Sequence, residues 1–144
     1  MARWEIKNVG MKGVAMTVPE NVVKTSELGL LSQEEADVFD NTVGIKERHI
    51  APDTMCASDM CQTAAEKLLE ELGWEKDSID VLLFESVTGD YRTPPTSCIL
   101  QDRLGLSENC FCMDIPMGCC GCMYAITVCL LYTSPSPRDG LLSR

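Results

Sequence analysis

One twelve-residue segment, DIPMGCCGCMYA at positions 114–125, constrains this chain more than any other. Residues 110–115 lead into it as a strand-like stretch, and an apolar, helix-compatible run leaves it near Cys120. Between them lies a tight corner rich in Gly and Cys. Strand, corner and helix in that order put a small nucleophilic side chain at the first turn of a helix expected to be buried. Unpaired N–H groups and the positive end of the helix dipole there favour a thiolate over a thiol. A thiolate so placed can take an acyl group from a thioester and hold it for a second step. Cys119 is the residue predicted to do so.

The flanking sequence reads as alternating strands and helices. Residues 4–18 mix β-branched residues with glycines and predict a strand pair or one long bent strand. Thr25-Ser26-Glu27 and Ser32-Gln33-Glu34-Glu35 each have an N-cap residue followed by acids, so two successive helix starts are expected. Phe39 and Val43 share one face, Gly44 stops that helix, and residues 45–51 form a short extended connector. Residues 58–72 carry the clearest helical period, with Met60, Ala64, Leu68 and Leu72 four apart, Ala65 and Leu69 widening the stripe, and Gly73 as cap. IDVLLFESV at 79–87 is a near-continuous apolar run of the kind buried on both faces of a parallel sheet. A turn-rich loop at 88–95 precedes a second amphipathic helix over 96–104, capped by Gly105. The β-α-β-α-β-α order predicts an α/β fold with a mainly parallel sheet.

Composition narrows the function. Twelve basic against 22 acidic side chains give a formal net charge of -10, the opposite of a nucleic-acid footprint. No run approaches the roughly 18 apolar residues of a membrane span, and the polar N-terminus has no secretory apolar region. A cytoplasmic protein is expected, and its nine cysteines are expected to be reduced. Cys98, Cys110, Cys112, Cys120 and Cys122 read as packing residues. A structural zinc site would want paired C-x₂₋₄-C knuckles, whereas C-x-C and CC-x-C are present. No metal site is predicted. His49, the single histidine, reads as a strand-end or surface residue, Glu85 and Asp90 as solvated, and residues 46–48 as a solvated charge run.

The last sixteen residues, CLLYTSPSPRDGLLSR, break with what precedes them. Pro135 and Pro137 end any helix, and no apolar period continues. CLLYTSPSPRD is also the translation of a transposase adapter used in sequencing libraries. The expected organisation is therefore one incomplete domain over 1–128 and a non-native, adapter-derived tail over 129–144.

Three segments, VGIKERHIA at 43–51, residues 80–106 with their late PPTSCILQDRLGL, and DIPMGCCGCMYA, together resemble the β-ketoacyl-acyl-carrier-protein synthase III family. The likeness runs from about Val9 to Val128, with Asp114, Cys119, Gly121, Tyr124 and Ala125 in register with its cysteine motif. The resemblance implies the N-terminal half of a thiolase-like α/β fold, with helices on both faces of a parallel-rich sheet. It implies acylation of Cys119 by an acyl-CoA primer, then decarboxylative condensation with malonyl-acyl-carrier-protein. It also implies a cytoplasmic homodimer with no permanently bound cofactor, and a His and an Asn supplied from beyond Val128, so that the 144 residues alone would not condense. Departures are Val38 and Thr42, where acetyl-CoA-using members carry a tryptophan and an arginine, and Thr93, where an aromatic residue is common. Other thiolase-fold acyltransferases, of hydroxymethylglutaryl-CoA synthase or specialised-metabolite type, are the alternative. From a different class, a cysteine-rich metal or redox module competes.

Overall fold

The computed structural model describes residues 9–133. Two small sheets and four helices follow one another along the chain. A first hairpin-like pair joins β1 (Val22–Lys24) antiparallel to β2 (Glu47–His49), with Val23 opposite Arg48. Helix α1 (Gln33–Thr42) lies between them in sequence. Its start is set by Ser32, whose hydroxyl accepts from the Glu35 N–H while the Glu35 carboxylate accepts from the Ser32 N–H at 2.9 Å. That reciprocal pair satisfies two backbone donors the helix could not otherwise use. The other expected helix start closes only a 3-10 turn, Thr25–Glu27. Thr25 is fully buried and its hydroxyl donates to Ile45 O at 2.7 Å, so its side chain ties the turn to the connector instead of capping a helix.

The second sheet carries the centre of the molecule. Helix α2 (Ala57–Leu72) precedes β3 (Val81–Glu85); α3 (Thr96–Leu104) links β3 to β4 (Phe111–Ile115), which is parallel to it with Phe84 opposite Asp114. Parallel neighbours need a crossover of this kind, and α3 supplies it. Gly73 and Gly105 end α2 and α3 in the left-handed region, at φ 61° and 64°, where a Cβ would be strained. Helix α4 (Gly121–Thr133) follows β4 and packs on both strands. It runs five residues into the segment expected to be foreign; residues 134–144 of that segment lie outside the described residues.

The core is small. Leu104, Leu106 and Cys110 are its buried centre, with Ala65, Leu69 and Ile79 packed around them. The predicted apolar stripe of α2 faces this cluster, and Glu66, Lys67, Glu70 and Glu71 face water as expected. Two expectations fail. Of the predicted strand over 4–18, the described part from Val9 on joins no ladder; Gly13 lies against α2, where a Cβ would press on Leu68 and Leu72. A strand is made by its partner's hydrogen bonds, and among the described residues none pairs with this one. β3 likewise buries Phe84 but leaves Val81, Leu82 and Leu83 half-covered, because β4 flanks one edge only.

Candidate active site

The site forms where β4 ends. Ile115 is buried at the strand end, Met117 N donates back to Ile115 O at 2.9 Å, and Gly121 N donates to Gly118 O at 2.7 Å, closing the corner from which α4 departs. Cys119 stands in that corner, two residues before α4, as an exposed free thiol. The strand–corner–helix reading of the sequence therefore holds in the backbone. The helix is another matter. No charged residue occurs in GCMYAITVCLLYT, yet Met123, Tyr124 and Leu131 are each more than half exposed. A helix apolar on every side is built to be covered, but in this chain one side of α4 faces outward.

Two glycines fit the corner against β3 and the loop after it. A Cβ on Gly118 would meet Val87 at 4.0 Å, an ordinary contact. A Cβ on Gly121 would lie 2.6 Å from Glu85 Cγ and 2.5 Å from Cδ, with Oε1 closer still. Side chains never approach that closely, so only glycine lets Glu85 lie across the first residue of α4. Glu85 is half-buried there, not a solvated strand-end carboxylate. Its side chain lies against the first residue of α4, close to the helix end that the sequence reading had left to Cys119 alone.

Asp114 fixes the other side. Its two oxygens accept from the backbone N–H groups of Thr96 at 2.7 Å and Ser97 at 2.8 Å, the first residues of α3. Pro95, at the N-cap position, has no side chain able to do this, so a carboxylate from β4 caps α3 across the sheet. Burial pushes the Asp114 carboxyl up, but the hydrogen bonds from Ser97 and Thr96 together outweigh it and hold the group below its ordinary range. The sequence motif places Asp114 five residues before Cys119; its role as a cap for a different helix is visible only in three dimensions.

A cavity of about 460 Å³ opens beside this corner, lined among others by Phe84, Asp90, Arg92, Asp114 and Pro116. Asp90 is half-buried, and Ser58 at the start of α2 donates its hydroxyl to Asp90 Oδ2. Arg103 donates to Ser58 Oγ at 3.2 Å and pairs with Asp59 at 3.0 Å. Asp90 is thus part of a bridge between α2, α3 and the cavity wall, where sequence suggested a solvated turn. Ser58, fully buried, is the residue that sequence reasoning missed; there it was only the first residue of a helical period.

The remaining cysteines divide by environment. Cys110 is buried and Cys112 half-buried, but Cys98, Cys120 and Cys122 are exposed, which corrects their reading as packing residues. Cys98 stands in the first turn of α3 and Cys122 in the first turn of α4, and neither is covered. Burial pushes the Cys112 thiol up to about 12, helped by the nearby Cys110, Cys98 and Asp114. Burial raises Cys110 too, and burial with the Asp90 charge raises Cys61. Since the thiolate is the reactive form, peptide mapping after brief iodoacetamide treatment at pH 8 should find Cys110 and Cys112 at least tenfold less labelled than Cys119. Equal labelling would contradict the packing described here. Among the described residues no three His, Cys, Asp or Glu side chains converge as metal ligands would, and no described helix is long and apolar enough to cross a membrane. His49 ends β2 exposed, its ring bonded to Pro19 O and remote in sequence from the corner. The guanidinium of Arg48 lies 5.7 Å over the ring of Phe39.

A two-stranded parallel unit with its crossover helix, followed by a cysteine corner and an apolar helix, is the architecture of the thiolase-like condensing enzymes. The solved 3-oxoacyl-(acyl-carrier protein) synthase of Burkholderia xenovorans superposes with a TM-score of 0.75 at 34% identity, over 82% of this chain and 35% of that one. No family model matches the chain. In sequence it is 33% identical over 132 residues to the β-ketoacyl-[acyl-carrier-protein] synthase III of a Sulfurovum species, covering 91% of this chain and 38% of that protein. It is 37% identical over 117 residues to the Geobacillus kaustophilus protein of the same name, covering 81% and 37%. The chain belongs to the β-ketoacyl-[acyl-carrier-protein] synthase III family and spans a little over a third of the length of the curated relatives it matches.

Proposed function

We propose that the protein to which these residues belong is an acyltransferase that makes a 3-oxoacyl-acyl-carrier-protein, with Cys119 as its nucleophile. The thiol attacks the carbonyl of an acyl-CoA primer, the coenzyme thiol leaves, and the acyl group remains on sulfur as a thioester. Malonyl-acyl-carrier-protein then loses carbon dioxide, and the carbanion so formed attacks the thioester carbonyl carbon, breaking its bond to sulfur and releasing Cys119 as the thiolate. The observation that carries this reading is the exposed thiol of Cys119 in the corner between a parallel strand and a helix N-terminus. Family membership supports a condensing acyltransferase; the primer, the malonyl partner, the homodimer, the cytoplasmic location and the absence of a bound cofactor are our reading of it.

Val38 and Thr42, both exposed, line an open groove on α1 together with Glu34, Glu35 and Phe39. Neither Val38 nor Thr42 is the tryptophan or arginine of acetyl-CoA-using members, which supports a primer other than acetyl-CoA. The small Thr93 supports a larger acyl group. Histidine and asparagine partners for Cys119 would come from outside residues 1–128, so we propose that the 144 residues alone do not condense, and that 129–144 is adapter-derived. The codons of that segment check the last point.

The chemistry is tested with labelled acyl-CoA. The protein expressed from the complete reading frame should trap one acyl group per chain, and Cys119→Ala should reduce trapping at least a thousandfold, to background. Label found on another residue, or persisting in Cys119→Ala, would overturn the assignment.

A further inference from the structure

The carboxylate lying across the first residue of α4 carries a consequence for which acyl groups Cys119 accepts. An unoccupied helix N-terminus attracts anions. Here Gly121 lets the end of the Glu85 side chain lie against the first residue of α4. Cys119 stands two residues earlier, a span of at most about 7 Å of chain. The Glu85 charge is therefore within about two Debye lengths of the thiol at physiological salt.

The other charged and titratable groups on the elements that form the corner do not offset it. β3 contributes Glu85, β4 contributes Cys112 and Asp114, and the corner with α4 contributes Cys120, Cys122, Tyr124 and Cys129. None of these elements holds a Lys, Arg or His. The loop after β3 brings Asp90 and Arg92 to the cavity wall beside Asp114 and Pro116. Asp114 is engaged with the α3 backbone, so its charge is partly spread over those N–H groups. Glu85 remains the anion set directly on the helix that Cys119 precedes.

We propose that Glu85 is a specificity-determining residue: a fixed negative charge that repels acyl donors bearing a free carboxylate and leaves Cys119 to load neutral acyl groups. The inference rests on Cys119 being the acylated residue. The two thioesters of the proposed reaction differ in just this respect, since a primer acyl group is neutral and a malonyl group carries a carboxylate two carbons from the thioester carbonyl carbon. In the loading step Cys119 sulfur bonds to the carbonyl carbon, the bond to the donor sulfur breaks, and the cysteine proton ends on the departing thiol. Glu85 takes no part in that exchange of bonds. It acts on the approach of the donor, through like-charge repulsion.

A matched pair of alkylating agents reads this charge without any turnover. Iodoacetate is anionic and iodoacetamide neutral, and both add one group to sulfur. On the full 144-residue chain, peptide mass spectrometry gives the ratio of their rates at each cysteine. The ratio at Cys119 should rise about three- to tenfold in Glu85→Gln, while the ratio at the exposed Cys56, before α2, stays within experimental error. Gly121→Ala, whose methyl group displaces the carboxylate, should raise the Cys119 ratio similarly and add nothing on top of Glu85→Gln. An unchanged ratio at Cys119, or an equal rise at Cys56, would overturn the proposal. Should the variants lose their far-ultraviolet circular dichroism, the wild-type chain decides alone. Added salt should then raise the ratio more at Cys119 than at Cys56, and an equal rise overturns it. Because alkylation needs no catalysis, a failure here is separate from a failure of acyl trapping at Cys119. In the protein from the complete reading frame, Glu85→Gln should raise loading from a malonyl thioester relative to a neutral acyl thioester by a similar factor.

Discussion

Replacing Asp114 by alanine should destabilise the protein by about 3 kcal/mol, the largest effect expected of any polar substitution in it. Two backbone N–H groups, of Thr96 and Ser97, lose their acceptor together, and both residues are fully buried, so water cannot take the place of the carboxylate. Charge-assisted bonds to a helix N-terminus are among the stronger ones a carboxylate makes. Asparagine keeps one acceptor but turns an amide N–H toward a donor, and should recover less than half the loss. Urea denaturation at pH 7 measures both; a loss below 1 kcal/mol for alanine would mean that α3 is held by its apolar contacts alone. The pH dependence has a definite sign. A carboxyl held below its ordinary range stabilises the fold above its unfolded value, about pH 4, and that contribution is lost as pH falls through the lower folded value. Wild-type protein should therefore lose stability toward Asp114→Ala below about pH 4, and the two should converge in acid.

Leu104→Ala should cost a comparable 3–5 kcal/mol. Leu104 is 2% exposed at the end of α3 and joins Leu106 and Cys110 to the apolar faces of α2 and β3. It also lines a purely apolar cavity of about 130 Å³ with Leu69, Trp74, Ile79 and Leu82. Truncation would enlarge a space that already exists, and the cost of such a change grows with the volume left empty. A small core gives little chance for neighbours to collapse into it. Leu104→Met, which conserves volume, should stay within about 1.5 kcal/mol of wild type. Equal losses for both would show that the side chain is held by shape and not by burial.

The two effects meet at the same place. Asp114 holds the start of α3 and Leu104 its end, so both fix the crossover whose parallel strands carry the Cys119 corner. A variant at either position should lower acyl loading in proportion to its unfolding, with the residual folded protein still loading on Cys119.

Local pattern determined much of this. The α2 stripe from Met60 to Leu72, the glycine caps at Gly73 and Gly105, the capping box at Ser32 and the strand–corner–helix around Cys119 depend on residues a few positions apart, which is the range over which propensity and hydrogen-bond chemistry act. Family membership was legible for a related reason, since the three motifs stand in order with fixed spacing. The tertiary structure decided what depends on distant partners. Whether residues 9–18 become a strand turns on a pairing neighbour, and none is present among the described residues, so β-branched composition there produced no ladder. Whether Glu85 and Asp90 meet water turned on Gly121 and Ser58, more than thirty residues away in each case. Asp114 lies eighteen residues from the helix it caps. Charges and caps of this kind act through space, and no spacing rule along a chain records which backbone will arrive beside them.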